Sequence, residues 1–391
     1  FGYAGNTSSE QEVSHYTLVC DNNQSVHNAS FWVQLPSIPS GSSTLSLYYG
    51  NNASNVSTSS AQATFNYSEP RIVAYAIADE AVSSGITITA FYNDTLVQVE
   101  GTNYSLDAFG QTTISSGITR GSAIYADAPI TVEVADTGVQ DMVPPISWAG
   151  TEFLAADLRD GNDEFCMLAP YSDASVVIYD GGTSEWTGTI NSSGNCVVND
   201  IGASLRITAT SPILVYKTGS GSDGFPMYPA TTEDMYTVVS NDVPIASGAT
   251  GINFTGYGSQ GGTYTNTIGA NSEDDVEGSG SLSSGNFGLG EAVRVESSDL
   301  YSIYQQADGG GSDASVGVPL KEMSSLFYTD IDSDYVVAAS PLPTSCTLST
   351  SSATVETNTS VGNTSTGIHQ TCFYCGQTST NINGPYQLSC T

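Results

Sequence analysis

Carboxylates, thiols and three imidazoles are the side chains with obvious chemistry, so their spacing comes first. Asp330-Ile-Asp-Ser-Asp334 places Asp330, Asp332 and Asp334 at alternating positions. Hard oxygen ligands of this kind suit calcium, although the glycine and bidentate glutamate of an EF-hand loop are absent. Asp160-Gly-Asn-Asp-Glu164 and Glu273-Asp-Asp-Val-Glu277 are comparable acidic clusters. Solvated acidic loops are the simpler reading of all three, so no cofactor is required and calcium is the one metal the spacing offers. His15, His27 and His369 have no evident nucleophile partner. There is no Gly-x-Ser-x-Gly elbow, no His-Glu-x-x-His, and no glycine loop followed by lysine to cradle phosphate. The expectation is a protein that is not an enzyme, with no catalytic residues to name.

Cysteine usage points to disulfides. Cys346, Cys372, Cys375 and Cys390 cluster near the C-terminus, Cys166 and Cys196 are close enough to staple one β-unit, and Cys20 stands alone. The Cys372-Phe-Tyr-Cys375 spacing also occurs in zinc and redox motifs, but His369 is the one further soft ligand nearby, so a structural role is expected. Twelve Asn-X-Ser/Thr sequons start at Asn6, Asn23, Asn28, Asn52, Asn55, Asn66, Asn93, Asn103, Asn191, Asn253, Asn358 and Asn363. Each is a competent acceptor of a covalent N-glycan, which implies an export route and an extracellular or cell-surface address.

Composition narrows the partners. The net charge of −33 arises because Lys and Arg number only 7 against 40 Asp and Glu. Arg71, Arg120, Arg159, Arg206, Lys217, Arg294 and Lys321 form no basic run, which excludes nucleic acid as a partner. No apolar run reaches the roughly 18 residues of a direct membrane span. Phe1 opens on polar sequence, as expected of an exported, processed form.

The elements that carry these groups read as strands. Ile86-Thr-Ile-Thr-Ala-Phe-Tyr-Asn-Asp-Thr-Leu-Val-Gln-Val opens a unit that recurs from Phe165 and, more weakly, from Ile252. Each unit reaches a second apolar strand after a polar corner, at Ala128-Pro-Ile, Ser211-Pro-Ile and Ser298-Asp-Leu. A Gly/Asp loop with Asp141, Asp223 or Asp313 follows, where Asx-turns are expected, and an aromatic strand closes the unit at Phe153, Met235 and Leu326. Period-2 patterning and Gly/Asp/Pro punctuation predict an all-β fold without substantial helix, built from three copies of a unit of roughly 80–90 residues. The copies are antiparallel sandwiches or paired blades of a propeller. The expected division is 1–68 as an N-terminal β-sandwich segment, 69–340 as the repeats (about 86–164, 165–251 and 252–340), and 341–391 as a Ser/Thr-rich, cysteine-containing segment. Trp186 is expected near an exposed hairpin tip after Gly181-Gly182.

Two resemblances add to this reading. Phe31-Trp-Val-Gln-Leu-Pro-Ser-Ile-Pro, continuing to Tyr48-Tyr-Gly-Asn51, resembles the end of an uncharacterised concanavalin-like module of archaeal surface proteins. That likeness implies a sandwich piece at a cell surface. Residues 86–340, with their strand, Ser/Asp-x-Pro-Ile corner and Gly/Asp loop, are similar to the repeated N-terminal domain of extracellular proteins like the IgG Fc-binding protein. That resemblance implies adhesion or matrix roles. The expected function is a structural glycoprotein subunit of an extracellular assembly, a filament or surface layer of an archaeal cell whose partners are copies of itself. The alternative is an adhesin that binds cell-surface glycans.

Overall fold

In the computed structural model the chain is all-β, and among the described residues the exceptions are two 3-10 turns at Ile146–Trp148 and Leu320–Glu322. The structure describes residues 85–136, 139–156, 163–199, 204–219, 222–239, 243–276, 287, 290–306, 314–323, 326–329, 336–351, 353–374 and 385–391, together with the strands before residue 85. Those strands are β1 (Gly2–Ala4), β2 (Gln11–Glu12), β3 (His15–Asp21), β4 (Asn28–Val33), β5 (Thr44–Ser46) and β6 (Val73–Ala76). β1 lies between β2 and β5, and β3 pairs with β4.

From β6 onward one eight-strand arrangement occurs three times. The first set is β6, β7 (Ile86–Ala90), β8 (Thr95–Val99), β9 (Thr102–Leu106), β10 (Gln111–Ile114), β11 (Ala123–Ala126), β12 (Ile130–Asp136) and β13 (Val139–Met142). It forms two antiparallel sheets in the orders β6-β11-β8-β9 and β10-β7-β12-β13. The second set is β14 (Gly150–Ala155), β15 (Asp163–Leu168), β16 (Ala174–Asp180), β17 (Thr183–Ile190), β18 (Asn195–Asn199), β19 (Leu205–Gly219) and β20 (Ser222–Pro226). Here β19 fills two places: Leu205–Ala209 pair with β16, and Leu214–Gly219 pair with β15. The third set is β21 (Met235–Val238), β22 (Pro244–Ser247), β23 (Ile252–Gly258), β24 (Thr263–Ile268), β25 (Glu273–Asp275), β26 (Ala292–Ser297), β27 (Tyr301–Gln306) and β28 (Ala314–Val316). Its sheets run β21-β26-β23-β24 and β25-β22-β27-β28, with β29 (Val318–Pro319) added beside β21.

This order decides between the two architectures. A propeller blade takes its strands consecutively from one stretch of chain, whereas here the chain returns to each sheet several times. Each set is therefore a two-sheet sandwich. In the first, Ile86 and Ile88 of β7 meet Val97 and Val99 of β8 and Ile124 of β11 in one core drawn from both sheets. Period-2 alternation produces this, since every second side chain of a strand enters the space between the sheets. A related sandwich closes the chain: β30 (Leu326–Thr329), β31 (Val336–Ser340), β32 (Ser345–Thr350), β33 (Thr354–Thr359), β34 (Val361–Asn363), β35 (Ile368–Phe373) and β36 (Tyr386–Cys390), ordered β30-β36-β32-β33 and β31-β35-β34.

The polar corner has a specific job. Asp127 Oδ1, Thr210 Oγ1 and Ser298 Oγ accept the backbone N–H of Leu96, Ser175 and Asn253 at 2.8, 2.9 and 3.0 Å. The three acceptors leave the same strand of each copy, and the three donors lie at the same place on β8, β16 and β23. A short oxygen-bearing side chain is needed because the chain is switching sheets there and the donor would otherwise be left unpaired.

The second and third sandwiches are fused. Tyr304 of β27 is fully buried with the core of the second sandwich, beside Ala246. Its hydroxyl donates to the carbonyl of Leu154 on β14, and its ring lies 5.7 Å from that of Phe225. The third and last sandwiches meet through Tyr236, Ala292 and Ile368, and Gln370 Oε1 accepts from Ala292 N at 2.8 Å and from Ser259 Oγ at 2.5 Å.

Candidate functional site

Two of the few cations occupy the same place in successive sandwiches. Arg206 of β19 stands in register with Tyr179 of β16, and Arg294 of β26 with Tyr257 of β23. Alternation points these side chains to the outer face of the sheet, where each guanidinium lies over the paired tyrosine ring, at 5.4 and 4.8 Å. An acid from the neighbouring strand segment completes each cluster. Arg206 Nε donates to Glu152 Oε1 at 2.7 Å, and Arg294 Nε faces Asp234 Oδ2 at 3.4 Å. In the first sandwich Glu100 stands at the tyrosine's place and Ala123 at the arginine's, and Glu100 Oε1 accepts from Ala123 N.

The two clusters differ in what covers them. Around Arg294 both terminal nitrogens are met: Nη2 donates to Glu296 Oε2 at 2.7 Å and Nη1 to the Thr366 carbonyl of the last sandwich at 2.8 Å. Tyr257 donates to Glu296 Oε1 at 2.6 Å, and that hydrogen bond raises its pKa. Around Arg206 the loops of the third sandwich leave a cavity of about 190 Å³, lined by Glu152, Arg206, Gly248, Ala249, Thr250, Asp299 and Leu300. Among the described residues no protein group meets the two terminal nitrogens of Arg206. A second, apolar cleft of about 300 Å³ separates the third and last sandwiches, between Val316, Val318, Val336 and Leu388 among others.

The residues singled out from the sequence fall as follows. Cys166 is bonded to Cys196 across the paired strands β15 and β18, and Cys346 to Cys390 across β32 and β36. Cys372 is disulfide-bonded as well, while Cys20 lies on β3 and Cys375 lies outside the described residues. Such bonds belong to an oxidising, extracellular setting. Asp330, Asp332 and Asp334 also lie outside the described residues, as do Asn6, Asn23, Asn52, Asn55 and Asn66. Among the described residues no group of three or more potential ligands is arranged to hold a metal ion. Asp274, from the acidic run at 273–277, accepts from Asn266 Nδ2.

Asn28 lies on β4. Asn93, Asn103, Asn191 and Asn253 are exposed. Asn191 and Asn363 form Asx-turns, their Oδ1 accepting from Ser193 N at 2.9 Å and Ser365 N at 3.0 Å. Asn358 differs: its Nδ2, the atom that would carry a glycan, donates to both Glu356 Oε1 and the Cys372 carbonyl at 2.8 Å. Asp141 and Asp223 sit within strands β13 and β20 rather than in loops. Trp186 is no exposed tip; it lies along β17, packs on the second core and covers Gly188. His369 is buried on β35, and burial lowers its pKa. The Arg206 cluster is absent from the sequence reading, because its members are far apart in the chain; the scarcity of cations was the available signal.

Among the described residues no helix is long and apolar enough to cross a membrane. No curated protein matches the chain. Residues 6–69, which include the Phe31–Asn51 segment, match a domain of unknown function (DUF2341), a description that assigns neither fold nor source. The profile described as IgGFc binding protein matches residues 93–309, more than half of the 391 residues and spanning most of the three repeated sandwiches. The chain belongs to the IgGFc binding protein family.

Proposed function

We propose that this chain is an extracellular, non-catalytic binding protein that acts through repeated sheet faces, as an adhesin does. The observation carrying this is the repetition of one outward surface. Edge strands β17, β24 and β33 expose Thr187 and Thr189, Thr263, Thr265 and Thr267, and Thr357 and Thr359 respectively. Short hydroxyl side chains lose little rotamer freedom when covered, and weak contacts made several times over sum to useful avidity. The family description, which names a protein-binding activity, supports the same reading. The test is full-length, glycosylated protein immobilised and exposed to immunoglobulin Fc and to an array of cell-surface glycans. Salt-resistant binding to one of them is expected; no retention of any at micromolar concentration refutes the reading.

A second reading, self-assembly into a filament or surface layer, is favoured by one feature. Edge strand β24 carries neither proline nor any charged side chain, the usual guards against pairing with another chain. Negative-stain electron microscopy separates the two: regular polymers establish the subunit, and discrete particles of monomer mass remove it.

A further inference from the structure

Resting on the binding reading, we propose that the cavity beside Arg206 is a subsite for one neutral sugar ring. Its chemistry is mixed. The terminal guanidinium nitrogens supply donors that meet no protein acceptor among the described residues. Glu152 and Asp299 supply carboxylate acceptors from the other walls, and Ala249 and Leu300 supply apolar surface. A sugar hydroxyl donates and accepts at once, so a polyol can bridge guanidinium and carboxylate with every bond charge-assisted.

Charge selects against the alternatives. One cation and two carboxylates leave the pocket negative, in a chain whose net charge is −33. An anionic ligand is therefore repelled, while a cation meets the guanidinium. Size sets the scale: about 190 Å³ is below the roughly 300–1,000 Å³ of pockets that enclose drug-sized ligands, so one ring enters and any further glycan stays outside.

The chain contains its own precedent. In the third sandwich the equivalent Arg294 is met by a neutral oxygen, the Thr366 carbonyl, at 2.8 Å, with Glu296 beside it. The Arg206 cluster has the same tyrosine beneath and Glu152 where Asp234 stands in the copy, has Thr208 in place of Glu296, and lacks that oxygen. A neutral hydroxyl fits where the carbonyl stands in the copy.

The experiment is a ligand-observed NMR and calorimetric titration of the full chain. The probes are the methyl glycosides of galactose, mannose and N-acetylglucosamine, with methyl sialoside and methyl glucuronide as anionic counterparts. One neutral glycoside is expected to bind in the millimolar range, corresponding to about −4 kcal/mol. Arg206→Lys and Asp299→Asn should each weaken it by roughly tenfold or more, a loss of about 1.4 kcal/mol. Arg294→Lys, whose site is already filled, should leave it unchanged. Because Arg206→Lys could loosen the Glu152 pairing, thermal melts accompany each variant, and Asp299→Asn keeps the test valid if Arg206→Lys fails to fold. No neutral glycoside binding, tighter binding of the anionic ones, or binding indifferent to both variants overturns the proposal. If the chain retains Fc or an array glycan while both variants bind it normally, the subsite fails and the binding function stands.

Discussion

Truncating Tyr304 should weaken two sandwiches at once. This side chain leaves β27 of the third sandwich and is fully buried in the core of the second, its hydroxyl donating to the Leu154 carbonyl. Tyr304→Phe removes one buried hydrogen bond and should cost about 1 kcal/mol. Tyr304→Ala also removes the ring from contact with Phe225 and should cost about 4 kcal/mol, roughly a thousandfold in the unfolding equilibrium. Trp186 packs within the second core, whereas Trp148 packs between the third core and Cys166, Leu168, Leu214 and Tyr216 of the second sandwich, so it reports the junction and the third core. Urea unfolding followed by fluorescence, in Trp32→Phe backgrounds carrying either tryptophan alone, should show coincident transitions that Tyr304→Ala moves together. If Tyr304→Ala shifts the Trp186 transition and leaves the Trp148 transition in place, the sandwiches unfold independently and the fused-core argument is wrong.

Three further outcomes are expected. Cys166→Ser with Cys196→Ser opens a disulfide spanning 30 residues of sequence and should cost about 3–4 kcal/mol on loop entropy, read as a lower urea midpoint. Glycopeptide mass spectrometry of secreted protein should find Asn103 and Asn253 occupied and Asn358 bare, since Asn358 Nδ2 already makes two hydrogen bonds; a glycan on Asn358 contradicts this. Stability should decline on both sides of neutrality. Burial lowers the His369 pKa, so its contribution is present above the ordinary value of 6.5 and lost as pH falls below it; His369→Gln should flatten that acid limb of the melting curve. Burial raises the Tyr301 and Tyr304 pKa values, so their contribution is present below the ordinary value of 10 and lost as pH climbs beyond it.

The all-β class and the threefold repeat were legible because alternation and corner chemistry are local. Asp127, Thr210 and Ser298 each mark the place where the chain changes sheets, and each was visible as a polar residue before the second apolar strand. Phase was harder. The strands at Phe153, Met235 and Leu326 read as closing strands, yet β14, β21 and β30 pair into the sandwich that follows. A strand's sequence specifies which faces it buries but not which neighbour it joins. In the third copy the short β22, Pro244–Ser247, hides behind the longer alternation of β23, which is why that copy looked weak. The Ser/Thr-rich stretch after 341 resembles a free tail by composition, but β32 to β35 fold it around buried Cys346, Leu348 and Phe373. The arginine cluster was illegible for a related reason: Glu152 and Arg206 are 54 residues apart and meet through the pairing of β14 with β19.

The continuous strand β19 gives the second sandwich a mechanical property its neighbours lack. In the other copies the two sheets are joined at this point by a corner, which can open like a hinge when the chain is pulled. Leu205–Gly219 instead runs unbroken from one sheet into the other, with β14 and β16 bonded along its first half and β15 and β20 along its second. The chain enters and leaves this sandwich side by side, where Ala230 N donates to the Glu152 carbonyl, so tension between its ends loads that clamp before it reaches the ladders of β19. Stretched between two attachment points, the chain should yield first in the first sandwich, while the second, its core shared with the third through Tyr304, keeps its form.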